Sequence, residues 1–277
     1  MRPASALSIA TVVASAACSP SGGEGAEPAS PCVAFAKAGA PALRVDSVLA
    51  TRRTSPIVSL VSGAGRTYAL DRDGRFGLVD AEITATLAAN AVEVVVSKSG
   101  AGVRAFAARW TRGPSTSSSF ELVRFTSPDD GLSFDLASAK VLFAVAGLRD
   151  TPEATSLALD REGILYVALG DAFPAEGAPA TSLGKILRLD VRNDAALPET
   201  VAVGVHEPRG LDVDAETGDV WLTDRTKDDT AVVHRIAPGS AQVLVPALYL
   251  TTPERRPAFG GGHVHRGRDL PSLIGQY

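Results

Sequence analysis

The chain has 277 residues, a formal net charge of -4 and 45% hydrophobic residues, a balance that excludes a disordered chain and a basic nucleic-acid binder. Its 27 Lys and Arg against 31 Asp and Glu are scattered singly, so no basic stripe exists that could neutralise a row of phosphates.

The N-terminal segment reads as an export signal. Arg2 gives a minimal positive start, "ASALSIATVVASAA" is a mostly apolar run of signal-core length, and Ser15, Ala16 and Ala17 precede Cys18. "SAAC" resembles a bacterial lipobox, in which the cysteine is lipidated and becomes the mature N-terminus; the alternative is ordinary cleavage after an A-x-A-like site. Residues 1–17 are therefore expected to be a signal peptide, and 18–40 a lipid-anchored flexible tether at the cell envelope. "SPSGGEGAEPAS" in that tether is too poor in apolar residues to repay ordering. Lipidation of Cys18 would leave the second cysteine, Cys32, without an internal partner.

From about residue 45 the hydrophobic period is two. "RTYALDRDGRFGLVD", "VRAFAARW", "FELVRFT", "KVLFAVA", "ILYVALGD", "KILRLDV", "GDVWLTD" and "VVHRIA" are short, rich in β-branched or aromatic residues, and bounded by Gly, Asp, Ser or Pro. An all-β domain over 41–277 follows, with "ITATLAANAVEVVV" open between helix and strand over its alanine-rich first part.

A hairpin recurs. Residues 68–80, 157–171 and 211–224 each carry an alternating strand, an acidic turn with Gly74, Gly163 or Gly218, and a second strand ending at Asp80, Asp171 or Asp224. The glycine meets the positive φ that a tight turn demands. Repeated hairpins of this kind build β-propeller blades, and at about 40 to 50 residues per blade the chain holds about five. A two-layer sandwich is the alternative.

The segments "DREGILYVALGD", "SLGKILRLD", "GVHEPRGLDVDAETGDVWLTD" and "GGHVHRGRDLPSLIGQY" occur in the order of the motifs of the soluble quinoprotein glucose/sorbosone dehydrogenase family, which this chain resembles. The correspondence runs from about Arg66 to Tyr277, dense after Leu157 and faint before Phe120. The resemblance implies a six-bladed propeller, of which Tyr277 falls before the last blade, so that about five blades are expected. It also implies pyrroloquinoline quinone (PQQ) as cofactor, often with calcium, and an aldose or related sugar alcohol as substrate. In that chemistry a histidine takes the hydroxyl proton while hydride passes to the quinone, and an aspartate orients the histidine.

Two departures from the family's pattern qualify the implied activity. The family's catalytic histidine falls on Pro152, so Asp171, its matching aspartate, is left without that partner, and the neighbouring Glu153 is the substitute base to consider. The Arg-Asn pair of the quinone site is replaced by His206 and Glu207; His206 and Arg209 are then the candidate cofactor-binding residues, while Glu207 would repel a polyanion. Asp171 as catalytic residue also competes with Asp171 as a strand-end cap, because Asp80 and Asp224 fill similar positions. His263 and His265 share one face of a strand, but no acidic or histidine partner is nearby in sequence, and no metal site is expected. No G-x-S-x-G elbow, phosphate loop or dinucleotide fingerprint is present. Two functions stand: an envelope-anchored sugar dehydrogenase impaired by the loss at Pro152, or a non-catalytic propeller that binds a ligand or protein partner at its channel face.

Overall fold

The computed structural model describes residues 55–79, 90–100, 102–112, 117–149, 154–171, 182–226, 228–239 and 242–249. Cys18, Cys32, Asp80, Pro152, Glu153, His263, His265 and residues 83–89 of the ambiguous stretch lie outside these; in the remainder of that stretch Asn90 is a turn residue and Ala91 onward is strand.

Among the described residues every regular element is a strand, in four sheets. The first holds β1 (Ile57–Gly63), β2 (Arg66–Asp71) and β3 (Phe76–Leu78). The second holds β4 (Ala91–Ser99), β5 (Gly102–Arg112), β6 (Ser117–Thr126) and β7 (Asp135–Arg149). The third is built of β8 (Thr155–Leu159), β9 (Ile164–Leu169), β10 (Lys185–Asp190) and β11 (Glu199–Val203). The fourth comprises β12 (Glu207–Val213), β13 (Val220–Arg225), β14 (Ala231–Ile236) and β16 (Pro246–Tyr249), while β15 (Gln242–Val243), which precedes β16, pairs parallel with β11 at the outer edge of the third sheet. Every other pairing is antiparallel between neighbours in sequence or across β15, so the chain runs outward strand by strand in each sheet.

The first strand of each sheet, β1, β4, β8 and β12, lines one cavity of about 800 Å³. Four sheets whose innermost strands surround a channel are four blades of a β-propeller, not two stacked layers.

Side-chain alternation explains why the blades stack. In β5, Ala105 and Ala107 join the core shared with the first blade, whereas Phe106, Ala108 and Trp110 join the core shared with the third. In β10 the same division sends Leu187 and Leu189 toward the second blade and Ile186 toward the fourth. Because successive residues of a strand point to opposite faces, a near-continuous apolar run supplies both neighbours of a central blade. Three cores result, one at each junction of the four described blades.

The recurrent turns have the expected conformation: Gly74, Gly163 and Gly218 take φ of 76°, 82° and 73°. The acidic residue heading each turn explains the rest of the motif. Asp71 Oδ1 accepts the Asp73 and Arg75 amides at 3.0 and 2.9 Å, and Asp160 Oδ1 accepts those of Glu162 and Ile164 at 2.8 Å each. The hairpins do not, however, fill the same place in every blade. The first joins the second and third strands of its sheet (β2 and β3), and the other two join the first and second (β8 and β9, β12 and β13). The motif is a local turn device that any strand pair can use, so its spacing alone does not set blade boundaries.

Candidate functional site at the channel mouth

Asp171 follows β9 after Gly170 and His206 directly precedes β12, so two adjacent blades bring them to one place. The Gly170 amide bonds the Ala154 carbonyl at 3.2 Å and the Asp171 amide bonds the Val205 carbonyl at 3.3 Å. These bonds fix both residues at the end of the channel where β8 and β12 begin, beside Ala154 and Pro208 of the cavity wall.

The approach requires glycine at position 170. A Cβ there would lie 2.4 Å from the His206 carbonyl oxygen and 2.8 Å from Pro208 Cδ. With hydrogen in its place the end of β9 lies against residues 206–208, and Asp171 Oδ1 comes 3.0 Å from His206 Nδ1.

A carboxylate can only accept, so Nδ1 carries the proton of that bond and the lone pair of the neutral ring is on Nε2. The side chains are 22% and 15% exposed for His206 and Asp171, which makes the pair sheltered but not sealed from solvent. Asp171 thus has a histidine after all. The partner is supplied by the next blade instead of by the segment containing Pro152, a possibility the one-dimensional comparison of motifs could not represent because the two residues are 35 positions apart. Glu153 lies outside the described residues.

A second carboxylate holds the loop from behind. Asp224, in β13, is fully buried; its Oδ2 accepts the His206 amide at 3.0 Å and its Oδ1 accepts the Glu207 amide at 2.6 Å. Burial pushes the Asp224 carboxyl up to about 6, against the lowering effect of the amide bond from His206. His234, on the neighbouring β14, has Nε2 4.0 Å from Asp224 Oδ2, and burial lowers its pKa, which favours the neutral ring. Asp171 and Asp224 therefore share a hairpin-end position but differ in use: one orients an imidazole, the other satisfies backbone donors. Sequence reasoning left Asp171 open between a catalytic residue and a strand-end cap like Asp224, and missed the role of Asp224 toward His206.

Glu207 and Arg209 complete the mouth. The Glu207 carboxylate makes ion pairs with both Arg209 and Arg225, and Arg225 also pairs with Asp229 at 3.1 Å. Arg209 lines the channel. A tricarboxylate quinone would need cationic donors, and here Arg209 and Arg225 are both held by the Glu207 carboxylate. So held, these two arginines do not fit PQQ. Nor, among the described residues, does any group of three or more His, Cys, Asp or Glu form a cation site.

Comparison with known proteins agrees with the fold. No family model matches the sequence, and no curated protein matches it. Solved structures do match. One is a glucose dehydrogenase at 20% identity and a TM-score of 0.56, over 76% of this chain and 73% of that one. A soluble aldose sugar dehydrogenase from Escherichia coli, in its apo form, matches at 14% identity and a TM-score of 0.59, over 79% and 78% of the two chains. A further glucose dehydrogenase matches at 16% identity and a TM-score of 0.53, over 80% and 81%. The β-propeller fold of this chain is the one found in these soluble sugar dehydrogenases.

Proposed function

We propose that the protein is a sugar-dehydrogenase-like propeller that takes an uncharged polyhydroxylated molecule, an aldose or related sugar alcohol, at the channel mouth. His206 serves as the proton acceptor toward a ligand hydroxyl. Asp171 holds the required tautomer and stabilises the imidazolium once the proton has moved. Asp224 positions the loop through the amides of residues 206 and 207. The observation that carries this reading is the 3.0 Å bond between His206 Nδ1 and Asp171 Oδ1 at the channel mouth.

Oxidation would need a hydride acceptor, and PQQ, with or without calcium, is the one implied by resemblance. The engagement of both arginines by Glu207 favours a second reading, in which the propeller binds its ligand without oxidising it. Reconstitution with PQQ and calcium separates the two, followed by aldose-dependent reduction of an artificial electron acceptor and, in parallel, calorimetric titration with the aldose. Dye reduction that is lost in His206→Gln supports the enzyme. Aldose binding without dye reduction supports the second reading, and neither signal contradicts both. The leader-like N-terminus and Cys18 support export and lipid anchoring at the cell envelope, which metabolic labelling with palmitate tests.

A further inference from the structure

Glu207 is the first residue of β12 and stands opposite Arg225 in the ladder with β13. Its backbone is pinned by Asp224, at 2.6 Å from the amide. One carboxylate oxygen pairs with Arg225 and the other with Arg209. Arg209 lies within a register shift between Pro208 and Gly210, and such bulges re-aim a side chain. The carboxylate is the sheltered member of the cluster, 15% exposed, whereas the side chains of Arg209 and Arg225 are 44% and 39% exposed. Burial and the nearby Arg225 guanidinium lower the pKa of Arg209, the signature of two like charges held side by side. Two guanidinium groups converging on one carboxylate form a site matched to an anion, and Glu207 occupies it.

We propose that Glu207 is the specificity-determining residue of the mouth: as an internal anion between Arg209 and Arg225 it admits uncharged ligands and refuses carboxylates. The inference rests on the sugar-binding reading given above. An entering carboxylate would have to displace Glu207 from both arginines and leave its charge half-buried and unpaired, a penalty that an uncharged polyol does not meet. Neutralising Glu207 opens Arg209 to an anion, with Arg225, still paired to Asp229, at its side.

The test compares wild type with Glu207→Gln by calorimetric titration with citrate, as a tricarboxylate probe, and with glucose. Citrate is expected to bind the variant about tenfold or more tightly than wild type, with the gain shrinking at high salt, and to raise the melting temperature of the variant alone. The double variant E207Q/R209Q should lose the gain. Unchanged citrate affinity in E207Q, or a gain that survives removal of Arg209, overturns the proposal. So does tight binding of citrate by wild type, a result that needs no variant. Where E207Q does not fold, Glu207→Ala is expected to show the same gain. Failure of wild type to bind glucose would count against the sugar reading alone, since the citrate comparison does not involve glucose.

Discussion

In the proposed reading the chemistry turns on His206 and Asp171, which lie 3.0 Å apart, and each has a separable role. In Asp171→Asn the partner of Nδ1 changes from an obligate acceptor to an amide that can also donate, so the tautomer is no longer fixed. On the enzyme reading, dye reduction by the reconstituted protein should fall roughly a hundredfold; on either reading the ring should redistribute between its tautomers, as read from the nitrogen resonances of a histidine-labelled sample. Asp224 gives a different signal because its pKa is raised by burial, to about 6. A carboxyl that holds its proton more tightly when folded contributes stability that is fully present below the unfolded value near 4 and is lost as pH rises through about 6. Denaturant unfolding across pH 4–7 should therefore contain a declining component on the order of 3 kcal/mol. That component should be absent in Asp224→Asn. A wild-type profile flat over this interval would contradict the raised value.

At the level of strands and turns, the period-two pattern was readable because each strand must feed two faces, and the acidic-glycine turns because their conformation is set locally. Gly163→Ala is expected to cost about 1 kcal/mol through its positive φ, measured as a lowered denaturation midpoint with an unchanged slope. Gly170→Ala should cost more, about 2 kcal/mol or above, because the added methyl meets the backbone at position 206 and not the end of a flexible side chain. It should also disturb the His206 resonances, which Gly163→Ala should leave in place. The residues that form the mouth were individually visible in the sequence: Asp171, His206, Glu207 and Arg209 all fell in motifs. Their grouping was not, since the His206 to Asp171 bond and the Asp224 to loop bonds join different hairpins. Alignment of motifs placed the histidine at Pro152, and only packing of the third blade against the fourth supplies one from position 206.

The whole molecule is held by cores that belong to junctions between blades, so a lesion at one junction is expected to weaken two blades together. Leu222 is fully buried in the core between the third and fourth blades. Leu222→Ala should cost about 2 to 5 kcal/mol and, because that junction sets the distance from Asp171 to His206, should lower ligand affinity as well. The propeller itself was legible from repeated hairpins; the boundaries of its blades were not, because the hairpin motif does not keep one place within a blade. The account as a whole depends on His206 standing where the ligand binds. With only four histidines in the chain, ring-nitrogen spectra of a labelled sample resolve the question during a glucose titration. The His206 resonances should shift in proportion to occupancy while those of buried His234 stay nearly fixed. Glucose binding by calorimetry with the His206 resonances unmoved would contradict it.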